Sequence, residues 1–344
     1  MDSASSPPLK TETSPAAPSL DSSSNSMGNG ESALRAEEIV ESLGAALASL
    51  ETVIYGKNHQ IRLALTCLIA GGHLLIEDLP GLGKTTLAHA LATVLGLNYR
   101  RVQFTSDLLP ADLTGFSMWD KNAEEFQFRR GPLFTQVLLA DEINRSSPKA
   151  QSALLESMEE GQVSVDGQTY PLPKPFFVIA TQNPFSLEGT FPLPESQLDR
   201  FLMRLTLGYP DAQSERQLLN GIDPRSQIGE LAQLANPESL VWLRSNLKQI
   251  RVPDISLSYT MRLLEATRER TDFVHGISPR GGMALLQAAR GWAALDGRDY
   301  VTPDDIQVVV GPVFGHRLVS RAEGKSLSLD DVERWLQTVD LLQE

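Results

Sequence analysis

Between residues 33 and 50 the apolar positions Leu34, Ile39, Leu43, Ala46, Leu47 and Leu50 recur at near-helical spacing. That period predicts an amphipathic helix at the start of the folded chain. Short apolar runs follow at residues 73–77, 99–104, 137–140, 176–181 and 201–207, separated by helical patterning. Apolar runs of strand length alternating with helices predict a parallel sheet covered on both faces, an α/β fold. After Pro210 only helical periods remain, over residues 212–219, 238–250, 258–271, 280–295, 303–309 and 331–342. One of these begins with Thr302, Pro303 and Asp305, which supply an N-cap, a first-turn proline and an acidic third position. The expected organisation is an α/β nucleotide-binding domain at 33–209 and a small all-α domain at 210–344, with no internal repeat. Residues 1–32 are rich in Ser, Pro, Thr and Ala and almost lack aromatic and β-branched residues, so they are expected to form a disordered tail.

Composition narrows the function classes. A chain of 344 residues with 41% hydrophobic content can bury two cores. Its net charge of -13 argues against a non-specific nucleic-acid binder, which needs a basic surface to displace counterions. The single cysteine, Cys67, lies in an apolar run and is read as a buried core thiol in a reducing compartment. No stretch reaches the roughly 20 apolar residues of a membrane span, and the N-terminus carries neither the basic start nor the apolar segment of a secretory signal. A cytoplasmic protein is expected. The histidines, His59, His73, His89, His275 and His316, show no metal-ligand spacing.

The chemistry concentrates in LLIEDLPGLGKTT, residues 74–86, which runs from an apolar strand through a Gly/Pro loop into a helix. This is the context of a P-loop. Its residues Asp78, Leu79, Pro80, Gly81, Leu82, Gly83, Lys84, Thr85 and Thr86 are the expected phosphate cradle. The glycines let backbone N–H groups close round the phosphates, Lys84 reaches the β and γ oxygens, and the Thr85 hydroxyl can ligate Mg²⁺. The strict pattern has glycine where this chain has Asp78, a residue that tolerates turn conformations. Downstream, VLLADEINR ends an apolar strand in two carboxylates. Asp141 is expected to hold the Mg²⁺ hydration shell and Glu142 to orient and deprotonate the attacking water. The strand FFVIATQNP then places Asn183 where an adjacent strand would aim it at the γ-phosphate. Taken singly, each of these is also an ordinary turn or a solvated strand end; their order in one chain favours nucleotide chemistry.

Lys84 and Thr85, Asp141 and Glu142, then Asn183 resemble the Walker A, Walker B and sensor 1 motifs of an AAA+ ATPase. More narrowly, EDLPGLGKT, LLADEINRSSPKAQSALLESMEEGQV, FFVIATQNPFSLEGTFPLPESQLDRF and SPRGGMALLQAAR resemble the MoxR family, over roughly residues 35–340. An aspartate at the first P-loop position is common in that family. The resemblance implies that Arg200 is an arginine finger reaching a neighbouring subunit's γ-phosphate, and that Arg280 is the sensor 2 arginine of the helical lid. It also implies that Tyr55 and Gly56, in VIYGK, lie against the adenine; a plain connector is the other reading. Two inserted hairpins are expected, at about 107–128 and at 161–175, the second turning at Asp166-Gly167. Trp119, Phe126 and Phe128 either face substrate in a central pore or pack the first hairpin onto the core.

By this resemblance the ligands are ATP and Mg²⁺. The assembly is a homo-oligomeric ring, expected as a hexamer, that remodels or activates a protein partner, often one with a von Willebrand A domain. Three alternatives stand beside it. A magnesium-chelatase-like ATPase subunit shares the hairpins, but DEINR and SPRG are MoxR-like contexts. A nucleic-acid motor related to replicative helicases would need a DNA-binding domain for which the chain has little room. A scaffold that binds ATP without hydrolysing it conflicts with an intact Glu142.

Overall fold

The computed structural model describes residues 24–184, 189–220 and 224–339. Helix α1, Ser24–Glu51, and helix α2, Asn58–Ile69, precede the first strand. Ile39, Leu43, Ala46 and Leu50 of α1 are buried, the face its periodicity predicts. The helix starts nine residues before the expected boundary: 24–32 are helical backbone rather than tail, and residues 1–23 of the expected tail lie outside the described residues. Once packing holds the C-terminal half, each residue added at the N-terminus gains a hydrogen bond without a new nucleation cost.

Strands β1, Leu74–Glu77, and β2, Tyr99–Gln103, flank helix α3, Lys84–Val94. Helix α4, Pro110–Thr114, leads into the antiparallel hairpin of β3, Gly115–Asp120, and β4, Glu125–Arg130. The insertion therefore reaches two residues beyond its expected end. Strand β5, Val137–Asp141, is followed by α5, Pro148–Glu160, and by a second hairpin of β6, Gln162–Val165, and β7, Gln168–Pro171. Asp166 and Gly167 both have positive φ, 52° and 78°, as the predicted two-residue hairpin turn requires. Strand β8, Phe177–Gln182, the short helix α6, Glu195–Leu198, and β9, Met203–Leu205, complete this half.

The five predicted core strands form one parallel sheet in the order β2-β5-β8-β1-β9. Strand β8 lies between β1 and β5, so the loops leaving the carboxyl ends of all three open on one crevice, where open α/β sheets bind ligands. The remaining helices are α7, Ala212–Leu219, α8, Pro224–Gln227, α9, Pro237–Asn246, α10, Asp254–Glu269, α11, Pro279–Leu295, α12, Pro303–Phe314, and α13, Leu329–Gln337. Thr302 caps α12 in a reciprocal capping box with Asp305.

Helix α11 packs on α2, and α12 packs on β9. Buried arginines fasten this helical layer to the sheet. Arg204 of β9 donates to Glu77 Oε2 at 3.0 Å and Ser326 Oγ at 2.9 Å, and also to the Leu327 carbonyl. Arg317, just past α12, donates to Asp199 Oδ1 at 2.7 Å and to the Phe201 carbonyl at 2.8 Å. His73 Nδ1 accepts from the Val178 N–H at 3.0 Å, so Nε2 donates to the Met158 carbonyl at 3.1 Å. Burial pushes the imidazole pKa down to about 4.

Candidate active site

A cavity of about 610 Å³ opens at the carboxyl ends of the strands, within the range of small-molecule sites. The P-loop contributes residues Pro80 through Thr86 to its wall, joined by Asp141, Glu142 and Asn183. Gly81 and Gly83 both have φ of 87°, a conformation that side chains resist, so the turn that presents their N–H groups depends on glycine. Lys84 Nζ lies across the loop and donates to the carbonyls of Asp78 at 2.7 Å and Leu79 at 3.0 Å. Its burial draws the ammonium pKa below the usual lysine value, opposed by the charges of Asp78, Asp141 and Glu142.

The Asp78 carboxylate, expected in the cradle, is buried and engaged by backbone: Oδ2 accepts from the N–H groups of Leu207 at 2.6 Å and Gly208 at 2.8 Å, and Oδ1 from Leu79 at 3.1 Å. Asp78 thus ties the P-loop to the chain leaving β9. Neither Asp78 nor Leu79 belongs to the cavity lining.

Across the crevice, Asp141 Oδ1 accepts from Thr181 Oγ1 at 2.6 Å, and Oδ2 from Arg101 at 2.6 Å. Thr181 Oγ1 in turn accepts from the Glu142 N–H at 2.9 Å. Glu142 is held at φ 55° and ψ 50°, a left-handed conformation costing a non-glycine residue on the order of 1 to 3 kcal/mol. That backbone turns its carboxylate toward Gln103 Nε2 at 3.1 Å and Arg145 Nε at 2.9 Å. Thr181 lies one strand from Asp141 in the sheet, and Asn183 follows it past the end of β8.

Arg101, Gln103 and Thr181 line the cavity beyond the residues read from sequence. The available signal was polar residues at the carboxyl ends of β2 and β8, but it acquires meaning only once β2 is known to pair with β5. The apolar end of the cavity is built from Val53, Ile54 and Tyr55 against Tyr209, Pro210, Leu218 and Leu219. Tyr55 stands in this wall; Gly56, with φ of 66°, supplies the turn behind it and is not part of the lining. Lys57 Nζ donates to the Tyr209 carbonyl at 2.6 Å, joining the two sides.

The two implied arginines lie elsewhere. Arg200 and Arg280 are absent from the cavity wall and sit together, Arg200 at 3.1 Å and Arg280 at 3.5 Å from opposite oxygens of Glu159. Helices α11 and α12 pack against α2 and β9, and among the described residues the helices after β9 contribute only α7 side chains to the cavity. The hairpin aromatics divide between packed and exposed positions. Phe128 stacks on Tyr170 of the second hairpin with centroids 4.2 Å apart, whereas Trp119 and Phe126 are 49% and 70% exposed and pair edge to face.

Residues 73–203 match the family described as ATPases associated with various cellular activities (AAA), and residues 265–334 match the AAA lid domain. The chain is 45% identical over 289 residues to the uncharacterized protein YeaC of Bacillus subtilis, spanning 84% of this chain and 90% of that protein. It is 37% identical over 318 residues to Chaperone MoxR1 of Mycobacterium tuberculosis, 88% of this chain and 83% of that one. A protein of Cytophaga hutchinsonii whose crystal structure was solved as a candidate ATPase superposes with a TM-score of 0.81 at 33% identity, over 91% of this chain and 99% of that one. With a P-loop, an acidic strand end and a following asparagine gathered on one crevice, and with this similarity along most of its length, the chain belongs to the MoxR family of AAA+ ATPases.

Proposed function

We propose that this ATPase works with Mg²⁺ as a homo-oligomeric ring, expected as a hexamer, whose active sites are completed between subunits and whose turnover remodels or activates a protein partner. The observation that carries the reading is the separation of parts. The cavity holds Lys84, Asp141, Glu142 and Asn183, while its one lining arginine among the described residues, Arg101, is tied to Asp141. Arg200 and Arg280 are gathered outside it.

In this reading the base lies between Tyr55 and the α7 leucines, and the P-loop N–H groups and Lys84 take the phosphates. Thr85 and Asp141 offer hard oxygen donors within the same crevice, which suits Mg²⁺. Bound there, the ion would neutralise phosphate charge. Glu142 takes the proton of the attacking water, and Asn183 orients that water or the γ-phosphate. Arg200 and Arg280 act on nucleotide held by the adjacent subunit. The exposed Phe116, Met118, Trp119 and Phe126 of the first hairpin offer an apolar grip for a protein substrate. A partner with a von Willebrand A domain and a cytoplasmic setting follow from the family resemblance; the net charge of -13 disfavours nucleic acid.

The test mixes two inactive variants. Arg200→Ala should bind ATP and hydrolyse very little, an arginine finger being worth roughly 10³ to 10⁵ in rate. Glu142→Gln has an intact finger and a dead pocket. Their mixture should regain ATPase activity, increasingly so at higher protein concentration. A mixture with demonstrated subunit exchange that stays inactive would refute completion between subunits.

A further inference from the structure

Resting on that reading and deepening it, we infer that Glu159 is a positioning residue that gathers Arg200 and Arg280 into one two-pronged clamp for the terminal phosphate of nucleotide on a second copy of the chain. The two arginines come from different layers, Arg200 from the turn after α6 and Arg280 from the first turn of α11. Both are cations, and each repels the other. A single carboxylate spans them, Oε2 at 3.1 Å from Arg200 and Oε1 at 3.5 Å from Arg280. Among the described residues Asp199 is the other acid in reach of Arg280, but its Oδ1 is engaged by the buried Arg317 at 2.7 Å, leaving Oδ2 at 3.6 Å from Arg280. Asp199 therefore serves the fastening of the helical layer, and Glu159 serves the pair.

The placement of Glu159 runs against local helix preference. It lies in the last turn of α5 beside Glu160, with no basic residue in that turn, where the helix dipole disfavours negative charge. Such local conflicts concentrate at functional positions. The backbone beneath is rigid: Gly161 closes α5 in a left-handed C-cap with its N–H on the Ser157 carbonyl at 3.0 Å, and the Leu172 N–H returns to the Gly161 carbonyl at 3.0 Å. Both arginines meet Glu159 through Nη2, and Arg280 Nε faces Asp199 at 3.6 Å; a guanidinium carries five N–H donors, more than these contacts use. The side chains of Arg200 and Arg280 are 30% and 57% exposed, accessible to an incoming anion.

The experiment compares Glu159→Ala, Glu159→Gln and Arg200→Ala, each alone and mixed with Glu142→Gln, by ATP titration of the ATPase rate and by fluorescent-nucleotide binding. Glu159→Ala should bind nucleotide as the unchanged protein does and lose about ten- to a hundred-fold in kcat, the scale of an ångström-sized misplacement of a catalytic group. Its KM should hold. Glu159→Gln, which keeps the shape and one acceptor oxygen, should fall between, and mixing either with Glu142→Gln should restore turnover. Unchanged kcat in both Glu159 variants, or a rise above the parent, overturns the inference even when Arg200→Ala and Glu142→Gln complement. Failure of that last pair to complement overturns the reading beneath it instead. If Glu159→Ala does not fold, Glu159→Gln carries the same comparison.

Discussion

Replacing Asp78 by glycine separates the motif from the structure, because it restores the strict P-loop pattern while deleting a buried acceptor. The carboxylate holds three backbone N–H groups, two of them at 2.6 and 2.8 Å. A hydrogen bond to a charged group contributes about 1.5 to 3 kcal/mol, and a buried donor left without an acceptor costs about 1 to 3 kcal/mol. The Leu207 N–H is buried, whereas water can reach Gly208 and Leu79 in part. Adding the extra freedom of glycine, about 0.5 to 1 kcal/mol, gives a destabilisation of about 3 kcal/mol. At an unfolding entropy of about 2.1 cal/mol/K per residue, that lowers Tm by about 4 to 5 °C for a chain of this length unfolding as one unit. Because the same bonds tie the P-loop to the chain after β9, Asp78→Gly should also bind ATP more weakly. Asp78→Asn keeps one acceptor oxygen and should lose less. The measurements are thermal unfolding and nucleotide titration. An Asp78→Gly protein that melts at or above the parent temperature and binds ATP at least as tightly would refute the anchoring role.

Lys84→Ala should abolish nucleotide binding, whereas Glu142→Gln should keep binding and lose turnover; titration of a fluorescent ATP analogue beside a phosphate-release assay separates the two. His73, lowered to about 4 by burial, and His316, pushed well below its ordinary value by burial and by Arg317 and Arg204, both resist protonation in the folded chain. The unfolded chain takes up those protons below about pH 6.5, so stability is full above that pH and declines as pH falls toward 4, by up to about 1.4 kcal/mol per pH unit for each histidine. Unfolding in denaturant at pH 7.5 and pH 5 should show the loss, and His73→Gln should reduce its pH dependence. Deleting residues 1–32 should leave Tm and ATPase rate unchanged because, among the described side chains of α1, the buried positions begin at Ile39, whereas deleting through residue 45 removes Ile39 and Leu43 and should lower Tm steeply.

The five core strands, the helical second half and the phosphate loop were legible in the sequence because each rests on local information: an apolar run of strand length, a helical period, glycines where φ is positive. The strand ends bearing Asp141 and Asn183 were legible for the same reason. The order of strands decided the rest. Only the insertion of β8 between β1 and β5 makes Thr181 a neighbour of Asp141, and only the pairing of β2 with β5 brings Arg101 and Gln103 to the carboxylates. Asp78 looked like part of the cradle because the motif is defined along the chain; its Oδ2 is used by N–H groups 129 and 130 residues away. Tertiary packing likewise set Arg280 apart from the cavity, since α11, whose first turn carries it, packs against α2 and α12. Periodicity and motif spacing specify elements and the loops they present, while the convergence of side chains remote in sequence depends on which faces pack together, a property of the whole buried core.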